Sequence, residues 1–492
     1  MAKAEKAGKQ RKPRKRLVLI LIVVTFHTVG FFSSLIALEQ TRTAQGTVAW
    51  VVALNTMPYV AVPAYWVFGK GEFQGHVTAR KTEDKKVEPT LERLREELVE
   101  REILAAPDNP RNRLIEDLTA LPVTIGNHAQ LLIDGDQTYD SIFDGIRNAE
   151  DYVLVQYYTI VADETGNELK AILMERALAG VRCYVIWDGV GTDLPSSYLD
   201  ELTEAGVQIV PFATITGPGE KFQVNFRNHR KIVVVDGREA WVGGLNIADT
   251  YRGEDEEIGY WRDTHMKVTG PVVQSIQLTF VEDWNWAADE ILEDLQWQPE
   301  LADENGYAIG SISSGPSDWV EILSLFTLHL INSAEERIWI ATPYFVPDIK
   351  FLRALELAAI RGVEVKILIP SQPDAGLGKL AALATWNYVE PLETVGAEIH
   401  QYTEGFMHQK VMLVDDDIAT VGTANFDDRS FRLNFESTLA ILGEDFAGKV
   451  ETMLNEDFSK EKTRLMTSEQ LEEKGYWFNI AVRAAYLTAP VL

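Results

Sequence analysis

Five residue types recur twice along this chain at one internal spacing. The first set is His229-Arg-Lys231, Asp236 and Gly243-Gly-Leu-Asn246; the second is His408-Gln-Lys410, Asp415 and Gly422-Thr-Ala-Asn425. Every member of the second set lies 179 positions after its counterpart. Together these types suit a phosphodiester. A neutral imidazole near pH 7 can attack phosphorus and form a covalent phosphohistidine, and a second, protonated imidazole can give its proton to the leaving alcohol. Lys231, Lys410 and the amides of Asn246 and Asn425 can hold the non-bridging oxygens as charge shifts. Lysine is not a usual metal ligand, and the sequence has no HExxH motif or cysteine cluster. Neither a metal nor another cofactor is therefore expected.

The elements that must position these groups read as α/β. The apolar runs Ile232–Val235 and Val411–Val414 read as buried strands, and period-two alternation puts each histidine and its lysine on one strand face. Asp236-Gly237 and Asp415–Asp417 read as turns. A returning strand then brings Asn246 or Asn425 beside the histidine–lysine pair. Farther out, strand-like Tyr152–Ile160 and Val181–Trp187 alternate with helical Asn167–Ala179 and Ser197–Ala205. The order recurs with strands Arg337–Thr342 and Val363–Pro370 and helices Trp319–Ala334, Asp348–Arg361 and Asn387–Val395. Gly180 and Gly362 occupy matching helix ends, where a left-handed cap is expected. This interval is too long for a solenoid repeat and implies two fused domains.

Two apolar runs precede them. Leu17–Leu38 and Thr47–Phe68 are each 22 residues long, close to the ~20 needed to cross hydrocarbon. The short link Glu39–Gly46 makes them a helical hairpin. Basic residues crowd residues 1–16 and resume at Lys70, Arg80, Lys81, Lys85 and Lys86, which places both ends in the cytoplasm. The expected divisions are a basic tail at 1–16, two membrane helices within 17–69, a linker at 70–120 and similar halves at 121–305 and 306–492. Within the linker, Pro89–Ala105 reads as an amphipathic helix, either a solvated connector or a helix lying on the membrane, with the connector favoured. The net charge of −28 argues against a nucleic-acid partner. The single cysteine, Cys183, reads as a buried strand thiol.

Both sets resemble the signature of the phospholipase D superfamily, HxKxxxxDxxxxxxGSxN, with Gly244 and Thr423 in the place of its Ser. Trp261-Arg-Asp-Thr-His265 with Gly270-Pro271, Asn425-Phe-Asp-Asp-Arg-Ser-Phe-Arg432 with Asn434-Phe-Glu436, Leu131-Leu-Ile-Asp-Gly135 and the N-terminal hairpin are similar to bacterial cardiolipin synthases. The resemblance covers essentially the whole chain. It implies two similar α/β/α sandwich domains about a pseudo-twofold axis, preceded by the transmembrane hairpin. It implies one shared site with catalytic His229, Lys231, Asp236, His408, Lys410 and Asp415, where His229 is the nucleophile and His408 the acid/base. Asp263 and Glu436 would orient the histidines, and Asn246 and Asn425 would bind substrate. The implied reaction joins two phosphatidylglycerol molecules into cardiolipin and glycerol at the inner (cytoplasmic) membrane. Water or another alcohol as the acceptor is the alternative.

Other residues are less marked. Arg429 and Arg432 suit either a lipid phosphate or structural ion pairs. Tyr157, Tyr158, Tyr344 and Phe345 either line the pocket or pack in the core. Tyr476–Ile480 and the apolar tail after it rest on the domain or on the membrane, with the domain favoured.

Overall fold

A computed structural model describes residues 11–40, 43–69, 88–106, 109–212, 225–255, 258–372 and 377–491. The outer part of the basic tail and linker residues 70–87 lie outside the described residues. By internal contacts the chain divides into Met1–Thr78 with Thr214–Phe226, and Ala79–Ala213 with Arg227–Leu492.

In the first unit a helix spans Arg11–Gln40. Its stretch Lys15–Glu39 is long and apolar enough to cross a bilayer. The second apolar run is not one helix. It forms Ala44–Thr56 and Pro58–Phe68, broken at Met57. Pro58 has no N–H to continue the first of these and takes the opening position of the next. Each piece is shorter than the ~20 residues of a spanning helix. Gly30 lets the long helix touch the break: a Cβ there would lie 2.3 Å from the Leu54 carbonyl oxygen. Leu54, Ala61, Val62 and Tyr65 bury against Ala37, Phe26 and Ile36.

The second unit is built on one sheet in which seven strands of each half follow the same order from the edge inward, with Thr463–Leu465 added outside Glu398–Tyr402 on one side only. One side runs Gln208–Phe212, Arg182–Asp188, Tyr152–Tyr157, Ile232–Val235, Glu239–Gly243, Thr264–Thr269 and Thr124–Ile133. The other runs Glu398–Tyr402, Glu364–Pro370, Arg337–Ala341, Val411–Val414, Ile418–Gly422, Asn434–Leu442 and Tyr307–Ser314. The two inner strands pair antiparallel, Thr124 with Ile309 and Asn127 with Tyr307. A twofold axis between them generates this order. Parallel neighbours are joined by helices such as Glu164–Leu178 and Ile349–Ile360, as parallel crossovers require. Gly180 and Gly362 end those connections at φ +97° and +96°, the left-handed geometry that glycine adopts without strain. Each half has its own apolar core, around Val153, Val185 and Val233 in one and Ile338, Ile367 and Val414 in the other.

Three local readings change. The amphipathic segment is helical over 88–100, and Leu94, Leu98 and Ile103 bury against Leu121 and Leu278. It is neither a solvated connector nor a membrane-lying helix, because its apolar face is used up on the second unit. Helix Leu377–Thr385 falls where no element was expected. The strands Ile232–Val235 and Val411–Val414 form as read, but each begins just after its lysine, so the histidine–lysine pairs lie before the strands and not on a strand face.

Asp236 and Asp415, grouped with the catalytic set by motif, are placed at the other end of these strands. Both adopt left-handed φ, +52° and +51°, in the turns that close the hairpins. The Asp236 carboxylate accepts the backbone N–H groups of Glu150, Asp151 and Tyr152 at 2.9, 2.8 and 2.8 Å. Asp415 does the same for Glu335, Glu336 and Arg337 at 3.1, 2.8 and 3.1 Å. A four-residue strand of roughly 13 Å separates each from its lysine. They fix strand register and do not face the imidazoles. Asp415→Ala should accordingly cost about 2–4 kcal/mol of stability, since it orphans three donors and forces Ala into a left-handed turn. Thermal inactivation should come several degrees earlier. Activity per folded molecule at low temperature should stay within about threefold; a collapse there with unchanged stability would show a direct catalytic role.

Candidate active site

The two histidines are carried to one place by an exchange between the halves. Short strand Arg227–Asn228, just before His229, pairs in parallel with Asn434–Phe435 of the second half. Phe406–Met407, just before His408, pairs with Trp261–Arg262 of the first. The next backbone bond in each ladder belongs to the histidine itself: His229 N–H to the Phe435 carbonyl at 2.9 Å, and His408 N–H to the Arg262 carbonyl at 2.8 Å. The side chains repeat the exchange. His229 Nδ1 lies 2.9 Å from Glu436 Oε2, and His408 Nδ1 lies 2.8 Å from Asp263 Oδ2. Each half thus supplies the carboxylate for the other half's histidine. With Nδ1 committed, each ring has Nε2 left for chemistry.

Residues between and around the pairs lock this arrangement. Arg230 is ion-paired with Asp283 at 2.6 Å and reaches the Glu436 carbonyl at 3.2 Å. Gln409 is held by Thr264 at 2.9 Å and by Asp457 at 2.8 Å. Asp457 also binds Arg262 at 2.9 and 2.7 Å. Lys231 and Lys410 each turn back to the carbonyl of their own histidine, at 2.7 and 2.6 Å. Asn246 donates to Tyr251 Oη at 2.7 Å and accepts from Thr159 N–H at 3.2 Å. Asn425 lines a small cavity with Lys410, and its buried Oδ1 has no partner among the described residues.

The half-sites differ at the position of the family's serine. Thr423 Oγ1 donates to Glu436 at 2.5 Å, and Asn434 Nδ2 adds a third bond at 3.0 Å. Its counterpart Gly244 can have no side chain, because a Cβ would stand 2.0 Å from Asp263 Oδ1. Asp263 is served instead by the Thr264 N–H at 2.8 Å, by Trp261 Nε1 at a long 3.4 Å and by His408.

Burial dominates the electrostatics. It pushes His229 down to about 4 against the pull of Glu436. It pushes His408 well down too, reinforced by Lys410, Lys231 and His229. Both rings are therefore neutral at pH 7 in the unliganded protein. Burial also lowers Lys231 to about 7 and Lys410 to about 8. Burial alone would raise Glu436, but His229, Lys231 and Thr423 overcome it and leave the group at about 2. For Asp263 burial wins over Lys410 and the carboxyl is raised. The arrangement is poised for an anion, whose arrival would return positive charge to the lysines and to one imidazole.

Some of the wall was not marked by the motif. Tyr158 meets His229 edge-on at 5.1 Å between centroids, while Trp261 lies 5.1 Å and Tyr251 6.2 Å from His408. Arg227 and Arg429 both act on Tyr158 electrostatically, so two guanidinium groups stand near the His229 side. Arg227 precedes the motif by two residues, and only that adjacency could have flagged it. Arg432 is instead tied to Glu321, Asp348 and Asp428, a structural network. Tyr157 and Phe345 are core residues.

The chain is similar to known proteins over nearly its whole length. The family described as "Cardiolipin synthase, PLD-like domain" matches residues 142–284 and 327–458, one match in each half. The chain is 40% identical over 479 residues to "Cardiolipin synthase A" of Pseudomonas fluorescens, covering 96% of this chain and 98% of that one. It is 41% identical to the protein of that name from Pseudomonas putida, covering 95% and 96%. Among solved structures, phosphatidylserine synthase of Haemophilus influenzae Rd KW20 shares the fold, with a TM-score of 0.59 at 16% identity over 78% of this chain and 100% of that one.

Proposed function

Because the chain belongs to the cardiolipin synthase family of PLD-like enzymes, we propose that it transfers a phosphatidyl group from one phosphatidylglycerol to a second, giving cardiolipin and glycerol. The observation that carries this is the crossed pairing of His229 with Glu436 and His408 with Asp263, which commits both Nδ1 atoms and leaves two Nε2 atoms for one phosphorus. The two halves are taken as 121–305 and 306–492.

His229 Nε2 attacks the donor's phosphorus, a P–N bond forms, and the bond from phosphorus to the glycerol oxygen breaks. His408, protonated under the influence of the bound phosphodiester anion, gives its proton to that oxygen. Glycerol departs. A hydroxyl of the second phosphatidylglycerol then gives its proton to His408 and attacks phosphorus, releasing His229. Lys231, Lys410, Asn246 and Asn425 hold the non-bridging oxygens. Glu436, with no hydrogen bond longer than 3.0 Å and the lower pKa, is the better counter-ion for the cationic phosphohistidine, which supports His229 as nucleophile. Asp236 and Asp415 act only by holding the strands.

The long N-terminal helix anchors the chain in a membrane, and the broken second run completes a hairpin with both ends cytoplasmic. Catalysis is then on the cytoplasmic side of the inner membrane, where phosphatidylglycerol is reached directly.

Purified protein given phosphatidylglycerol alone, with EDTA present, should yield cardiolipin and glycerol in equal amounts by lipid mass spectrometry. Phosphatidic acid as the dominant product would make it a hydrolase. The pH profile has a definite shape. In the unliganded enzyme His229 loses its proton above about 4 and the lysines lose charge above about 7 to 8. Thus kcat/KM should fall as pH rises through 7–8. The bound anion raises both lysines, so the alkaline limb of kcat should lie at higher pH. Coincident limbs in the two profiles would contradict charged lysines as phosphate ligands.

A further inference from the structure

A cleft of about 640 Å³ opens on the second half. It lies at the carboxyl ends of the parallel strands Glu364–Pro370 and Glu398–Tyr402, the place where open α/β sheets receive ligands. Its volume suits a polar lipid head with the start of its chains. Its walls are two-sided. Ile369, Leu383, Trp386 and Phe478 make an apolar side, while Lys379, Arg464 and Lys474 supply the charge. Among the described residues no carboxylate lines it, in a chain with 74 acidic against 46 basic residues. The Lys474 ammonium stands 5.3 and 5.0 Å from the ring centroids of Trp386 and Phe478, which sets a cation on the border between the two sides.

One wall of the cleft continues along the chain into Thr342, which lines the small cavity beside Lys410 and Asn425. Pro343 and Tyr344 form its inner wall. Thr342, just before them, accepts the Phe426 N–H at 3.0 Å, next to Asn425. Tyr344 follows its strand as Tyr158 follows the equivalent strand in the first half, where Tyr158 touches His229.

The outer rim adds an independent observation. Helix Tyr476–Tyr486 buries Val482 and Ala485 and lends Phe478 to the cleft. Its opposite side leaves Tyr476, Trp477 and Leu487 exposed at 71%, 80% and 80%. Aromatic residues so exposed, with Lys474 and Arg483 nearby, are the composition of a helix lying in a membrane interface. The segment thus divides the two roles foreseen for it: one side packs on the domain and the other is free for lipid. Within the same chain, Lys15–Glu39 can cross a bilayer.

We propose that this cleft seats the acceptor, an anionic glycerophospholipid drawn from the bilayer on which helix Tyr476–Tyr486 rests. Lys379, Arg464 and Lys474 pair with its phosphate, and its chains run along the apolar side. The proposal rests on the phosphatidyl-transfer reading and supplies what that reading needs, a place for the second lipid while the first is bound to histidine.

The test uses the full-length protein. In mixed micelles of neutral detergent and phosphatidylglycerol, the double variant Lys379→Gln/Arg464→Gln should raise KM about tenfold and leave kcat within about twofold. Lys379→Arg/Arg464→Lys should restore KM. Inorganic phosphate at matched concentration should not compete, since it lacks the apolar part. An unchanged KM, a loss confined to kcat, or full competition by inorganic phosphate would overturn the proposal. A second readout is the depth of the helix. Cys183 is buried and its thiol is pushed up to about 12, so a fluorophore attached to Trp477→Cys reports alone. In phosphatidylglycerol vesicles its emission should shift to the blue and be quenched by spin-labelled lipid. The same label on Leu178→Cys, at the opposite strand ends, should stay aqueous. Aqueous emission at position 477 would equally overturn the proposal. A wild-type protein that makes no cardiolipin would sink the transfer reading instead.

Discussion

Replacing either His229 or His408 with alanine is expected to lower kcat/KM at least about 10⁴-fold, equivalent to about 5.4 kcal/mol of transition-state stabilisation. The two losses should not multiply: the double variant should be within about tenfold of either single one. This follows from the geometry. The histidines come from different halves, but each is bonded to a carboxylate of the other half, at 2.9 and 2.8 Å. A nucleophile without its acid, or an acid without its nucleophile, leaves the same incomplete site. Two independent half-sites would behave differently, each single variant keeping about half the activity. Folding should survive, because both rings are buried neutral and each carboxylate keeps other donors, Thr423 and Asn434 at Glu436 and the Thr264 N–H at Asp263. Circular dichroism and thermal unfolding close to wild type would separate lost chemistry from lost structure.

The second large effect is expected at Glu436. Glu436→Gln keeps the volume and can still accept from Thr423 and His229, but it removes the negative charge opposite the ring. The account predicts a fall in kcat on the order of 10²–10⁴-fold with KM within about threefold. The loss should fall on phosphohistidine formation, measured as glycerol released in the first turnover. Glu436→Asp, which restores the charge at a shorter reach, should recover part of it. Asp263→Asn should act on proton transfer at His408, so its defect should shrink when the leaving alcohol is more acidic. If Glu436→Gln slowed only the second transfer, or if Asp263→Asn were equally insensitive to the leaving group, the assignment of roles to the two histidines would be wrong.

Much of this site was legible in the sequence because catalysis fixes residue types at fixed spacing. Two sets 179 residues apart announce the duplication, and a duplication with one nucleophile and one acid announces a twofold site. Which carboxylate serves which histidine is not legible. That depends on the short parallel pairings Arg227–Asn228 with Asn434–Phe435 and Phe406–Met407 with Trp261–Arg262, contacts between segments 207 and 145 residues apart. Spacing also misleads where a motif residue serves structure: Asp236 and Asp415 travel with the histidines yet serve backbone amides at the far strand ends. Arg227 carries no periodic signal and stands out only beside Tyr158 in the fold, whereas Tyr158, as an aromatic after a strand run, and Trp261, within the resemblance, were visible in the sequence without the ring each approaches. The second apolar run shows the limit of hydropathy, which counts side chains and is blind to the missing N–H of Pro58. The helix at 88–100 shows another limit. Its apolar stripe predicts a buried face but cannot say that Leu121 and Leu278 cover it.

The most direct measurement of the central claim is rapid acid-free quenching of the full-length enzyme with phosphatidylglycerol labelled in its phosphate, followed by mapping of the labelled residue. The account predicts one phosphatidyl group per chain, attached to His229, still formed slowly in His408→Ala and absent in His229→Ala. Label retained in His229→Ala, or two groups per chain in the wild type, would contradict a single phosphorus shared between the two imidazoles.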